Sequence, residues 1–221
     1  MSMTITIDAS NLIRPFGAPV QDTLKNQGVR LIPFDFSYGN YTGLLDPIKK
    51  AGGIHFPYRP SITESNRARY AITELTHTNE GSAVYGGKET ARINLGGGTW
   101  VADTVETGKY MMAVLHFFRS VTLMDYGNGH TGRPPTPCWF YAYEPYGYNG
   151  VPVLIESADI SFPQDVEYMD IQLGGETLVL PRVFKIDSIS LIVQHSFRYW
   201  LEEFSLDDFR SGVLLKRGVM Q

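Results

Sequence analysis

One stretch constrains this chain more than any other: DTVETGKYMMAVLHFFRSVT, residues 103–122, reads as a single amphipathic helix set among strand-like sequence. Its apolar residues Tyr110, Met111, Val114, Leu115, Phe117, Phe118 and Val121, placed at 100° per residue, span roughly 160° of the helix surface, where packing on one sheet face needs only ~100°. The excess predicts a second packing partner. Asp103 stands three residues ahead of Glu106, an aspartate version of the capping box that predicts the helix start. Gly108 within the first turns costs about 1 kcal/mol relative to alanine, so packing rather than propensity must hold this helix.

Strand signals surround it. Residues 1–53 read as an irregular N-terminal arm, because short apolar pieces such as TITI and LIPFDF are interrupted by Pro15, Gly17, Pro19, Pro33, Gly39 and Gly43. From Ile54 the pattern becomes extended: FPYRPSIT, then ARYAITELTHT, joined through the glycine-containing link GSAVYGGK to ETARINL, where Ala91, Ile93 and Leu95 alternate with Arg92 and Asn94. The triplet Gly96-Gly97-Gly98 has no Lys-Ser or Lys-Thr behind it, so it fails as a phosphate loop and predicts a tight strand-to-helix turn.

After the helix, YGNGHTGRPPTP is a loop, and Asn149-Gly150 is the strongest hairpin signal in the chain, since a two-residue type I′ turn needs φ > 0 at both central positions. Residues 138–144 are expected to pair antiparallel with residues 151–162, an arm of about 40 Å at 3.3 Å per residue, longer than a typical globular strand. VFKIDSISLIVQHSF makes a last strand, and residues 196–221 form a C-terminal tail with a short helix capped by Ser205, Asp208 lying three residues on. The expected class is mainly β with one flanking helix: an arm (1–53), an antiparallel sandwich or barrel domain (54–195) and the tail.

Composition narrows the function. Nineteen basic against 23 acidic residues give a formal charge of -4, so no basic field recruits nucleic acid or an anionic membrane. The single cysteine, Cys138, makes neither an internal disulfide nor a thiolate metal cluster, and suits assembly in a reducing cytoplasm. The opening MSMTITIDAS lacks the basic and apolar regions of a secretory signal, and no apolar run reaches the length of a membrane span, so membrane insertion is not expected. His55, His77, His116, His130 and His195 show no metal-ligand spacing, and no serine stands in a G-x-S-x-G elbow. The acid pairs Glu202-Glu203 and Asp207-Asp208 are adjacent in sequence, as solvated carboxylates near a helix start usually are. Trp139, Phe140, Tyr141, Tyr143, Tyr146 and Tyr148 form an aromatic cluster; alternation puts Trp139, Tyr141 and Tyr143 on one strand face, for core packing, an interface or the stacking of a sugar.

Two segments carry a resemblance to a known family: the helix core AVLHFFRSVT, residues 113–122, and the run GVPVLIESADISFPQDVEY, residues 150–168. With FPYRPSIT before them, they resemble the tail-tube-fold proteins of contractile-tailed bacteriophage baseplates over residues 54–193. The resemblance implies a tail-tube-like β-sandwich or barrel whose long hairpin completes an inner β-barrel in a homohexameric ring, through which double-stranded DNA passes without specific binding. It implies a structural virion protein assembled in the bacterial host cytoplasm, contacting other tail-tube and baseplate proteins, with no cofactor, metal or catalysis. The helix residues Tyr110 to Val121 named above would then be the packing and oligomer interface, and the arm and tail favour a tube initiator or adaptor over the repeating tube subunit. Glu156 and Asp159, three apart on the long strand, fall on opposite strand faces, so either lines the channel but not both. Lys109, His116 and Arg119 lie on the polar side of the helix, facing solvent or neighbouring tail proteins. A carbohydrate-binding sandwich and a cell-wall hydrolase remain as competing readings.

Overall fold

The computed structural model describes residues 28–34, 43–74, 76–77, 79, 81–126, 132, 134–144, 147–173, 175–195 and 205–216. Its strands are β1 (Arg30–Pro33), β2 (Ile54–His55), β3 (Ser61–Ser65), β4 (Ala68–Thr73), β5 (Ser82–Lys88), β6 (Arg92–Val101), β7 (Cys138–Ala142), β8 (Tyr148–Ser161), β9 (Tyr168–Leu173), β10 (Glu176–Pro181) and β11 (Val183–Val193). The helices are α1 (Asp46–Ala51), α2 (Val105–Ser120), α3 (Leu206–Ser211) and α4 (Val213–Lys216). Seven strands form one antiparallel sheet in the order β2-β1-β7-β8-β11-β6-β3, and β4–β5 and β9–β10 are separate hairpins. The mainly β class with few helices holds.

The sheet is curled. Strand β2 at one edge ends at His55 and β3 at the other begins at Ser61, a connection that reaches at most ~22 Å, whereas seven flat strands would be ~29 Å across. Tyr148 on β8 reaches over the inner face to donate its hydroxyl to Glu64 of β3 at 3.0 Å, a contact that a flat sheet forbids.

Irregularities along the central strands set which side chains face inward. On β6, Ile93 and Leu95 point to the core, but beyond Gly97 (φ 80°) the buried set moves to Gly98 and Trp100. On β11 the buried set moves from Phe184 and Ile186 to Ile189, Leu191 and Val193 across Asp187. Both strands therefore carry an extra residue at the same level, since Ile186 pairs with Gly98 and Ser188 with Gly96. Gly96-Gly97-Gly98 thus lies inside a strand and is not the expected strand-to-helix turn. Glycine is required there for space as well: a Cβ on Gly96 would lie 2.6 Å from Ser61 Oγ, which donates to the Gly96 carbonyl.

The helix begins one residue later than its acidic signal suggests. Thr104, not Asp103, is the N-cap, and its hydroxyl accepts from Thr107 N–H at 3.2 Å while Thr107 Oγ1 accepts from Thr104 N–H at 2.9 Å. A hydroxyl on each residue closes the box reciprocally, and Glu106 is left to the dipole. All seven apolar residues of the predicted arc are buried, and with Thr107, Gly108 and Ala113 the covered arc widens to roughly 220°.

The second partner that this width demands comes from the same chain. On one flank Tyr110 meets Trp100 of β6, which stacks on Phe184. On another, a Cβ on Gly108 would fall 2.6 Å from Ile171 Cδ1, so the glycine lets β9 come close. Helix α1 and the 3-10 turn Gly43–Leu45 pack on α2 as well. The expectation that these residues face a neighbouring subunit is thereby corrected: Tyr110, Met111, Val114, Leu115, Phe117, Phe118 and Val121 are the inside of a single chain.

Two further expectations change. The N-terminal arm is no separate unit up to residue 53, because β1 is an internal strand between β2 and β7 and Leu31 and Ile48 are fully buried in the common core. GSAVYGGK is no mere link, because Ser82–Lys88 is the strand β5, hairpinned to β4. Residues 1–27 and 35–42 of the arm, and residues 196–204 and 217–221 of the tail, lie outside the described residues. The tail helix α3 starts as read, with Ser205 Oγ accepting from Asp208 N–H at 3.0 Å.

Candidate functional site

Strands β7 and β8 do pair, Cys138↔Val153 through Ala142↔Tyr148, but Asn149-Gly150 is not their turn. Both residues lie within β8, and the register shifts between Phe140↔Val151 and Tyr141↔Asn149, leaving Gly150 (φ 69°) as the extra residue of a bulge. The connection is the longer loop from Tyr143 (φ 55°) to Gly147, whose N–H donates to the Tyr143 carbonyl at 2.9 Å. An αL glycine serves a G1-type bulge as well as a type I′ turn, which is why the sequence signal misplaced the bend.

A second bulge on β8 decides the placement of the acidic residues. Val151, Val153 and Ile155 face the core; Glu156 is then the residue left out of register against β11, and Ala158 and Ile160 take up the inward positions. The phase flips by one, so Glu156 and Asp159 stand on the same outward face, and the expectation of opposite faces is corrected. Glu156 accepts from Arg92 Nη2 at 3.1 Å and from Ser190 Oγ at 2.9 Å, and Asp159 accepts from Ser188 Oγ. Together they make a polar face across β6, β11 and β8. Each carboxylate is hydrogen-bonded to a neighbouring strand, so the face is ordered.

The same region has an open edge. Strand β7 reaches only to Cys138↔Val153, so along residues 154–161 the one strand among the described residues that pairs with β8 is β11. Strand β6 is paired to β3 only through Gly96, so among the described residues no strand pairs with residues 97–101 on that side. An unpaired edge presents a row of free N–H and C=O groups to another chain.

The β4–β5 hairpin is a feature that the sequence reading missed. It is exposed on both faces, with Tyr70, Ile72, Val84 and Tyr85 open to solvent and the two tyrosine rings in edge contact at 5.7 Å. Its root is held by Glu64, which accepts from Tyr148 and from Asn66 and lies near Lys88. Burial, then the Glu64 charge, drives the Tyr148 phenol well above its ordinary range, so it stays a donor. The β-branched and aromatic pair Val84-Tyr85 was the signal, obscured by the glycines on either side.

The aromatic cluster is largely engaged. Phe140 is in the core against Tyr148, Trp139 stacks on Phe34 at 4.3 Å, and Tyr141 lies under the Arg30 guanidinium at 4.5 Å. Trp139 and Tyr141 share the outward face as read, each with one ring face already covered, whereas Tyr143 (φ 55°) lies past the end of β7 and is not on that strand face; Tyr146 lies outside the described residues. Lys109, His116 and Arg119 occupy the solvent side of α2. Among the described residues no group of three His, Cys, Asp or Glu is placed to hold a metal ion, and no helix is long and apolar enough to cross a membrane. In comparison with known proteins, the chain matches no protein-family model and no curated protein.

Proposed function

We propose that this chain is a structural virion protein, a tail-tube or baseplate component of a contractile-tailed bacteriophage that works as a homohexameric ring around a conduit for double-stranded DNA. The observation that carries the reading is the open edge of β8 over residues 154–161, beside an ordered polar face. In a ring, that edge pairs with the open edge at β6 and β3 of the next copy, and closure removes a template for aggregation. Glu156, ion-paired to Arg92, and Asp159 then face the lumen together, so this part of the wall is neutral to acidic and does not hold DNA phosphates, whereas a basic wall would hold them with salt-dependent affinity. The buried α2 arc no longer argues for the ring, so the strand edges carry it alone. The sequence outside the tail-tube-like stretch 54–193 suits a tube initiator or adaptor that also contacts other tail-tube and baseplate proteins.

Native mass spectrometry with negative-stain imaging tests this directly. Six copies around a central hole are expected; a compact monomer at every concentration overturns the reading. Growth of the pure protein into tubes of indefinite length would keep the fold and replace the initiator or adaptor role by that of the repeating subunit.

A further inference from the structure

With its inner arc buried, α2 still presents a stripe of about 100° to solvent, formed by Val105, Lys109, Met112, His116 and Arg119. Its ionisable groups are basic types, and the acid of the helix, Glu106, stands beside it in the first turn at the positive end of the dipole. The stripe continues into Leu123 and Phe162, over whose ring the Arg119 guanidinium sits at 5.7 Å. Val105, Leu123 and Phe162 are 49%, 68% and 44% exposed. A helix face that simply meets water interleaves charges of both signs, so large apolar groups among basic ones mark a docking surface for an acidic, apolar partner.

The chain itself carries such a partner. On α3, Leu206 and Phe209 are 62% and 60% exposed and, three residues apart, lie on one side of the helix with Asp207 and Asp208 between them in sequence. Arg210 pairs with Asp207 at 3.3 Å. The four residues ahead of Ser205, Leu201-Glu202-Glu203-Phe204, repeat the pattern of Leu206-Asp207-Asp208-Phe209, so residues 201–209 hold four carboxylates and no basic group. Charge and apolar character therefore complement the α2 stripe, while Leu206 and Phe209 on one side and Val105, Leu123 and Phe162 on the other are exposed in the single chain.

The geometry points to a head-to-tail contact between copies: α3 of one chain lies along the exposed stripe of α2 on the next, with Leu206 and Phe209 against Leu123 and Phe162 and the aspartates facing Arg119 and Lys109. Such a contact is heterologous, joining different surfaces of the two copies. It uses none of the strand edges invoked for ring closure.

Charge reversal separates the two contacts. Full-length K109E/R119E and D207K/D208K chains, each first shown by circular dichroism to be folded, are compared with the unchanged protein by sedimentation velocity over a concentration series at low salt. Each variant alone is expected to lose at least about tenfold in self-association, about 1.4 kcal/mol. Mixing the two is expected to restore it, because α3 and α2 then meet with opposite charge in both directions. Variants that associate like the unchanged chain, or a mixture that recovers nothing, overturn the contact. Six-membered rings that persist in both variants, with no effect of mixing, overturn it while leaving the ring reading; head-to-tail association without a closed ring does the reverse.

Discussion

Arg30 sits on β1 beside the core, and a side chain so placed must have its charge met. Its Nη2 reaches both carboxylate oxygens of Glu144, at 3.2 and 3.1 Å, and both side chains are about nine-tenths buried. Nε and Nη1 have no hydrogen-bond partner among the described residues, so Glu144 and the Tyr141 ring are what meets the guanidinium there. Removing one member of such a pair leaves a buried charge alone. Glu144→Gln is expected to lower the unfolding free energy by about 3 kcal/mol, read from urea midpoints; a loss under about 1 kcal/mol would mean that water already reaches the pair. His55, next door on β2, gives a pH signature. Burial lowers its pKa, opposed by the Ala51 carbonyl that its Nε2–H meets at 2.9 Å and reinforced by the Arg30 charge. With the folded value below the unfolded ~6.5, the unfolded chain takes up the proton first. Stability from the neutral ring is thus complete above about pH 6.5 and is lost as pH falls through the folded value. Urea midpoints at pH 7 and 5.5 are expected to converge between the two pH values in His55→Gln and to separate in the unchanged chain; equal separation in both would assign the slope to other groups.

At the scale of elements, the chain is governed by where extra residues enter strands. Hydrophobic alternation located the start of β6 in the sequence, where Ile93 and Leu95 recur at the period of a strand, and the same period runs through the inward residues of β8 and β11. Alternation does not announce a bulge, because one inserted residue looks like any other until its neighbour strand is known. Glu156 and Asp159 therefore read as opposed and are together, and Asn149-Gly150 reads as a turn and is a bulge. The two accounts of Asn149-Gly150 differ in a measurable way. In a type I′ turn both residues need φ > 0, whereas among the described non-glycine residues Asn149 is not one with positive φ. Asn149→Ala is expected to change stability by less than about 0.5 kcal/mol. Gly150→Ala is expected to cost about 1–2 kcal/mol, because alanine at φ 69° is strained and its Cβ would stand 3.2 Å from Tyr141 Oη. Equal losses at both positions in thermal melts would restore the turn.

For the whole molecule, the core closes within one chain. Trp100, Phe140, Phe184 and Ile189 are all but fully buried, and β9 and α1 cover the parts of α2 that the sheet leaves bare. A diluted monomer is accordingly expected to unfold in one cooperative step whose midpoint, at concentrations where no oligomer remains, is independent of protein concentration; a midpoint that keeps falling on dilution would mean that neighbours complete the core. The sequence by itself determined the class, the helix with its need for two partners, the long strand β8 and the tail helix, because periodicity and capping are local and survive without knowledge of neighbours. Only the tertiary structure decided which partner covers the helix, which residues share the polar face and which strand edges stay open. Those depend on register between strands far apart in the chain, and a shift of a single residue there reverses every side chain beyond it.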